Sequence, residues 1–188
     1  MDRKFILGVD LDGVCADYFG TIESIAKEWL GVRELPKLDN YSFSAWGVDQ
    51  APKGYKAMHK FGVVQRNMFT TMKPMPNAPQ VLRRLSEKNV LIRIITNRLC
   101  IKNYHVEAVT QTVKWLEHNG IPYWDLCFIK DKTTVDADLY LEDAPHNVKR
   151  MWEAGREVLC FRNVTNEGIK DNVVHDWLEI EREVLRRI

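Results

Sequence analysis

The sequence predicts an α/β fold built on a parallel sheet, and three features of its 188 residues carry that prediction. Short aliphatic runs alternate with segments of helical periodicity, the pattern of strand–helix–strand units joined by right-handed crossovers. Four of these runs end in polar residues suited to chemistry: Asp10 with Asp12, Thr96, Lys130 or Lys132, and Glu142 with Asp143. One aromatic, irregular stretch interrupts the alternation between the first and second strands and reads as an insertion.

Phe5-Ile6-Leu7-Gly8-Val9 is a short apolar run that meets two acids, as a buried strand with polar groups at its C-terminal end would. Ile22, Ile25, Ala26, Trp29 and Leu30 keep helical spacing and predict a helix over residues 18–30. From Gly31 to Met72 the aromatic residues Tyr41, Phe43, Trp46, Tyr55, Phe61 and Phe69 follow no period. That stretch closes in the stiff, proline-punctuated return Lys73-Pro74-Met75-Pro76-Asn77-Ala78-Pro79. Val81, Leu82 and Leu85 mark a helix, and Val90 to Ile95 is a β-branched strand ending at Thr96. Residues 104–119 read as a helix closed by Gly120, at the position that favours a left-handed cap. Leu126–Ile129 and Asp138–Asp143 read as strands, His146–Glu153 as a short helix, Val158–Phe161 as a further strand, and residues 173–187 as a charged amphipathic terminal helix. The domain reading is a core of residues 1–16 and 74–188, with a small, mostly helical cap of residues 17–73 between its first two strands.

Composition narrows the function classes. With 27 basic and 26 acidic residues the net charge is +1, so the basic excess of a polymeric nucleic-acid binder is missing. The four cysteines, Cys15, Cys100, Cys127 and Cys160, show no C-x-x-C spacing and read as buried free thiols of a reducing compartment. The N-terminal apolar run meets Asp10 too soon for a signal peptide or a membrane span, and the expectation is a cytoplasmic protein with no membrane partner.

The acids at the strand ends need a counter-charge. Two carboxylates about 4 Å apart repel by roughly 4 kcal/mol at an effective dielectric of about 20. A lysine supplies part of the compensation and a hard divalent ion more; Mg²⁺ prefers oxygen ligands, and no His or Cys cluster near these acids suggests zinc. The Asp-x-Asp spacing lets both acids reach one pocket, and Gly13 permits a tight backbone path beside a ligand. One carboxylate can then attack a phosphorus atom while the other serves the leaving oxygen and a water. Thr96 offers a hydroxyl, and a lysine offsets charge on the transferred group.

Asp10-Leu11-Asp12-Gly13-Val14, Ile94-Ile95-Thr96-Asn97, Lys132 within Lys130-Asp131-Lys132-Thr133, and Leu139-Tyr140-Leu141-Glu142-Asp143 resemble, in order, the four motifs of the haloacid-dehalogenase-like phosphohydrolases. Asp12-Gly13-Val14-Cys15-Ala16-Asp17-Tyr18, Asp131-Lys132-Thr133 and Ala137-Asp138-Leu139-Tyr140-Leu141-Glu142-Asp143 are similar, more narrowly, to the 5'(3')-deoxyribonucleotidases. The resemblance implies a Rossmann-like three-layer sandwich with a small helical cap between the first two motifs. It implies a Mg²⁺-dependent phosphomonoester hydrolase acting through an aspartyl-phosphate, most simply a 5'-nucleotidase for (deoxy)nucleoside monophosphates, with room for a homodimer. In it Asp10 is the nucleophile, Asp12 the acid and base, and Thr96 and Lys132 hold the phosphoryl oxygens. Asp10, Asp12 through its backbone carbonyl, Asp143 and Glu142 form the metal set, and Asn97, Tyr18, Phe43 and Trp46 the substrate set. The sequence departs from the deoxyribonucleotidase pattern at Glu142, where an aspartate is expected, at Thr96-Asn97 in place of Thr-Ser, and in a spaced Phe43 and Trp46 in place of an adjacent Phe-Trp pair.

Plainer readings stand beside these. Asp143 could cap the helix that follows, Thr96 could cap a strand end, and the cap aromatics could form a small core. Arg98 reads as a solvated loop cation, and the five histidines as surface or helix residues without a nucleophile to serve. The rival functions are a phosphatase of the same superfamily acting on a sugar phosphate or another small metabolite, and a non-catalytic phosphate- or nucleotide-binding protein.

Overall fold

The computed structural model describes residues 3–38, 40–50, 54–100 and 102–188. Among them are six strands, β1 (Ile6–Val9), β2 (Leu91–Thr96), β3 (Asp125–Phe128), β4 (Leu139–Glu142), β5 (Val158–Phe161) and β6 (Val173–Val174). They form one sheet in the order β3-β2-β1-β4-β5-β6, with every neighbouring pair parallel. The helices are α1 (Tyr18–Leu30), α2 (Gly54–Arg66), α3 (Met68–Thr71), α4 (Ala78–Glu87), α5 (His105–His118), α6 (Pro145–Glu153) and α7 (Trp177–Leu185).

Strand alternation sorts the core into two layers. Leu7, Val9, Ile92, Ile94, Leu139, Leu141, Leu159 and Phe161 share one cluster with Val81 and Leu82 of α4, Trp115 and Leu116 of α5, and Trp177 and Ile180 of α7. Ile95, Tyr140, Val158 and Cys160 face the other way, onto Val148 and Met151 of α6. Side chains two apart share a face, so this division follows directly from the strand period, and it gives the three-layer Rossmann-like sandwich the sequence predicts. Burying each of these aliphatic side chains is worth about 1.5–3 kcal/mol.

The strand order reverses between β1 and β4. From β1 the chain steps outward to β2 and β3, and from β4 outward to β5 and β6. Ligands of open parallel sheets sit at such a switch point, beyond the carboxyl ends of the strands. Asp10 follows β1 and Asp143 follows β4, so the acids of the sequence motifs stand where the topology opens a crevice.

Residues 17–73 leave and rejoin the sheet at one neck. Ala16 bridges antiparallel to Pro74, Asp17 N–H donates to Lys73 O at 2.8 Å, and Met75 N–H donates to Cys15 O at 2.7 Å. Within the segment α1 packs on α2. Asp17 caps α1 by accepting from Gly20 N–H, and Gly31 closes it at φ 68°. Trp115 Nε1 donates to Met72 O at 2.8 Å and Trp177 Nε1 to Val14 O at 2.9 Å, so two core tryptophans pin the backbone on either side of the neck.

The predicted elements are found with small shifts, and three differences have physical causes. The stretch after Gly31 holds a helix, α2, whose buried face is Met58, His59, Gly62 and Val63. A histidine and a glycine on that face hide its apolar period. The predicted terminal helix over 173–187 begins with β6 instead: Val173 and Val174 add a parallel rung to β5, and Asp176 then caps α7 by accepting from Glu179 N–H. Cys15 and Cys160 are buried free thiols as expected, whereas Cys100 is exposed and Cys127 half-buried. No helix among the described residues is long and apolar enough to cross a membrane.

Candidate active site

Lys132 is the hub of the site. It begins a short 3₁₀ turn capped by the Asp131 side chain, and it is buried. Its Nζ lies 2.8 Å from Asp10 Oδ1 and 2.6 Å from Glu142 Oε2. Lys130 is exposed, so the geometry separates the two lysines that spacing alone left open. Burial alone would lower the Lys132 ammonium, but Asp10 and Glu142 outweigh it and hold the group above its ordinary value. It therefore stays charged.

Ligand oxygens of Asp10, Glu142 and Asp143 lie within 4.8 Å of one another. Burial and crowding act on two of them, Asp10 and Asp143. The Asp10 carboxyl is pushed from 3.8 up to about 8, mainly by burial, with Lys132 opposing the shift and Glu142 and Asp12 adding to it. Asp143 is raised well above its ordinary range by burial first, then by Glu142 and Asp10. Such a set, all oxygen and short of positive charge, suits a hard divalent cation.

The three acids are not equivalent. Glu142 has both oxygens occupied, Oε2 by Lys132 and Oε1 by the N–H groups of Asp143 at 3.2 Å and Ala144 at 3.0 Å. It braces the lysine and the β4–α6 turn. Asp143 accepts from Asn163 Nδ2 at 2.8 Å on Oδ2, while its buried Oδ1 has no partner. An orphaned carboxylate oxygen at the centre of an acidic cluster is the place a metal would fill. Asn166 Nδ2 donates to Asp143 O at 2.9 Å and to Phe161 O at 2.8 Å, locking the same residue from its backbone side. Sequence reasoning missed Asn163 and Asn166; the polar run Arg162-Asn163-Val164-Thr165-Asn166 directly after a strand was the available signal.

Gly13 makes room for this arrangement. It has φ 88°, and a Cβ built there would lie 2.2 Å from Asp143 Oδ2. Gly13→Ala is therefore expected to displace Asp143 and reduce kcat at least about a hundredfold, the scale of a misplacement of about 1 Å in a catalytic group. The left-handed backbone adds about 1–2 kcal/mol of instability. Steady-state kinetics and thermal melting check both; near-wild-type kcat in the variant would contradict this packing argument.

Asp12 stands apart from the acidic cluster. Its side chain is held by Arg98: Nη2 to Oδ1 at 2.6 Å, and Nε to Oδ2 at 3.0 Å and to Oδ1 at 3.2 Å. The reading of Arg98 as a solvated loop cation is corrected here, since the residue is 1% exposed. Its guanidinium stacks over Phe69 at 4.2 Å, and Nη1 donates to Thr112 Oγ1 at 3.2 Å.

A cavity of about 220 Å³ joins these parts. Asp10, Asp12, Thr96, Asn97, Arg98 and Lys132 line it from the sheet side, and Tyr18, Tyr41, Tyr55, His59 and Phe69 from the residue 17–73 segment. Thr96 Oγ1 is buried there without a partner. Phe43 and Trp46 do not line the cavity: Phe43 stacks on Tyr55 at 5.2 Å and 13°, and Trp46 Nε1 donates to Pro36 O at 2.9 Å, so both pack as a small core behind it. Asp138 lies at the far end of the sheet, accepting from Ile6 N–H at 2.8 Å.

A family model described as "5' nucleotidase, deoxy (Pyrimidine), cytosolic type C protein" matches residues 4–187. A relative from Chlorobaculum tepidum, named "Putative 5'(3')-deoxyribonucleotidase", is 46% identical over 180 residues, 95% of this chain and 89% of its own. Solved structures agree on the fold. A HAD-superfamily hydrolase from Ehrlichia chaffeensis has a TM-score of 0.52 at 14% identity, over 99% of this chain and 98% of its own. CbbY from Rhodobacter sphaeroides, solved in complex with xylulose 1,5-bisphosphate, has a TM-score of 0.60 at 11% identity, over 93% and 95%. The chain belongs to the family of 5' nucleotidase, deoxy (pyrimidine), cytosolic type C proteins, and is a phosphomonoester hydrolase.

Proposed function

We propose that this enzyme hydrolyses (deoxy)nucleoside monophosphates in a Mg²⁺-dependent reaction through an aspartyl-phosphate on Asp10. The observation that carries the proposal is the buried Lys132 ammonium between Asp10 and Glu142, beside an Asp143 whose Oδ1 lacks a partner. Lys132 and the Leu11 N–H both engage Asp10 Oδ1, which leaves Oδ2 as the attacking atom. Attack forms the acyl phosphate and breaks the ester P–O bond; Asp12 gives a proton to the departing oxygen. Asp12 then takes a proton from water, the oxygen of that water attacks phosphorus, and inorganic phosphate leaves with Asp10 restored. Thr96 Oγ1 and Lys132 Nζ bind the phosphoryl oxygens, and Arg98 holds Asp12 in place. Asp10 and Asp143 are the side chains to hold the ion, with the Asp12 carbonyl; Glu142 supports from behind. Bound Mg²⁺ would offset the carboxylate charge and polarise the phosphoryl group.

Residues 17–73 act in this reading as a cap that closes over the ester, with Asn97 and Tyr18 lining the substrate chamber and Phe43 and Trp46 supporting its wall. The substrate is a diffusible nucleotide in the cytoplasm. The modest 220 Å³ cavity favours a second reading, a small sugar phosphate. A Mg²⁺-dependent screen of phosphate release over deoxy- and ribonucleoside monophosphates and common sugar phosphates decides between them. Preference for nucleotides supports the first reading, preference for sugar phosphates transfers the site to the second, and no release from any of them contradicts both.

Metal dependence has a stability signature. Between 3.8 and about 8 the folded chain keeps a proton on Asp10 that the unfolded chain has released. The metal-free fold thus loses stability as pH rises through that window, because the folded state binds more protons than the unfolded one. Melting in EDTA is expected to fall with pH across the window, and added Mg²⁺ to recover most at its upper end, where the carboxylates ionise most readily. A metal-free melting temperature that climbs over the window would run against the assigned cause.

A further inference from the structure

Among the described residues, four buried side-chain polar atoms lack a hydrogen-bond partner: Thr96 Oγ1, Asp143 Oδ1, Gln111 Oε1 and His59 Nδ1. The first two belong to the phosphoryl and cation sites. Gln111 already donates from its amide to Val63 O at 2.8 Å as a tie between α5 and α2. His59 has no task in the chemistry above. It is 5% exposed on the buried face of α2, with Tyr55, Phe69 and Tyr18 around it at ring-centroid distances of 5.6, 5.7 and 6.4 Å.

The ring stands at a junction. It lines the 220 Å³ cavity together with Asp12 and Arg98, and it also lines an adjoining cavity of about 430 Å³ with Tyr55, Lys56, Lys60, Cys100 and Lys102. The neighbouring Tyr18 and Tyr55 pair their hydroxyls with each other. Burial lowers the imidazole to about 4, with Asp12 opposing and Arg98 adding to the shift, so the ring is uncharged at neutral pH. It is then a short-range hydrogen-bonding group, not an anion clamp.

The His59 ring lines both cavities and has an unpaired nitrogen, so a ligand filling them meets an imidazole whose hydrogen-bonding capacity is unspent. Asp12 fixes which part of the ligand meets the ring. It serves the leaving oxygen, and the polar groups within a few bonds of that oxygen on a nucleotide are the ring oxygen and the hydroxyls of the sugar, of which only the hydroxyls can both donate and accept. We propose that His59 is a specificity-determining residue that hydrogen-bonds a sugar hydroxyl of the leaving nucleoside through its imidazole. This deepens the nucleotide reading and rests on it. An uncharged imidazole nitrogen can donate or accept according to its tautomer, and a hydroxyl can answer either way.

The test compares kcat/KM for matched nucleoside 5'-monophosphates that differ only in sugar hydroxyls: the ribo, 2'-deoxy and 2',3'-dideoxy forms of one base. The wild type is expected to disfavour the form lacking the contacted hydroxyl by at least about tenfold, since its absence leaves the imidazole without its partner. In His59→Phe that ratio is expected to collapse to within about twofold, and in His59→Asn, which keeps a short polar group, to survive in part. Both variants remove or shrink an unsatisfied group, so thermal melting at or near the wild-type value confirms folding; His59→Leu serves if His59→Phe melts early. Wild type with no discrimination among the three forms, or a folded His59→Phe that keeps the full ratio, overturns the role of His59 while nucleotide hydrolysis stands. Wild type that hydrolyses none of the three overturns the nucleotide reading and this inference with it.

Discussion

Asp10→Asn is expected to lower kcat by at least about a thousandfold, because the variant lacks the carboxylate that forms the covalent intermediate. The substitution keeps the shape of the side chain and removes a carboxyl that is already costly where it stands. Burial first, and then crowding by Glu142 and Asp12, pushes Asp10 up to about 8 against the pull of Lys132. Lys132 keeps its second partner, Glu142 Oε2 at 2.6 Å, so the ammonium is not stranded. The melting temperature without metal is therefore expected to match or exceed that of the wild type. This divergence, lost activity with retained stability, separates a nucleophile from a structural carboxylate. Two measurements check it: kcat at saturating Mg²⁺ with matched melting curves, and acid-quenched trapping of labelled phosphate on the wild-type chain. Activity near wild type in Asp10→Asn would remove Asp10 from its role whatever the melting curves show.

Much of this site could be read in the chain because its residues sit where strands end. β1, β2 and β4 are short, strongly aliphatic runs, and each run stops at the residue that matters: Asp10, Thr96, Glu142 with Asp143. The sequence carries that signal because a parallel strand is buried on both faces and turns polar only where it leaves the sheet. Strand order is another matter. That β1 and β4 are neighbours is decided by crossovers over more than a hundred residues, and no local pattern states it. Lys132 and Lys130 were indistinguishable by spacing for a similar reason, since the capped turn at Asp131 decides which of them points inward.

The residues that were not legible owe their roles to distant partners. Asn163 acts on Asp143 from twenty residues away in sequence, after β5, the strand next to β4. His59 was read with the other histidines as a helix or surface residue. The helix it occupies has an apolar face diluted by its own imidazole and by Gly62, where an added Cβ would meet Met68 Sδ at 2.6 Å. Close packing between α2 and its neighbours thus required the very residues that masked the helix. Phe43 and Trp46 show the reverse ambiguity: the sequence reads them either as a ligand platform or as a small core, and they pack against each other, Phe43 also against Tyr55.

Arg98→Met is expected to cost about 3 kcal/mol of stability and to damage catalysis selectively, since removing one partner of a buried ion pair costs about 3–5 kcal/mol. The lower end applies because the Asp12 side chain is 19% exposed and water can partly replace the lost donor. For a chain of this size that loss corresponds to a fall in melting temperature of roughly 6–12 °C. The partners explain why a lysine cannot substitute fully. Arg98 reaches both Asp12 oxygens from two nitrogens, while its plane covers Phe69 and its Nη1 reaches Thr112. An ammonium can supply one of those contacts, so Arg98→Lys should recover part of the stability and less of the activity. On the proposed mechanism Asp12 protonates the leaving oxygen, so a loosened Asp12 matters most where that oxygen leaves poorly. The loss in kcat for Arg98→Met should therefore be at least about tenfold larger on a nucleotide, whose alkoxide needs the proton, than on p-nitrophenyl phosphate, whose phenolate does not. Equal losses on the two substrates would mean that Arg98 only holds the fold; a larger loss on the nucleotide, mirrored by Asp12→Asn, would show that its hold on Asp12 carries the proton transfer.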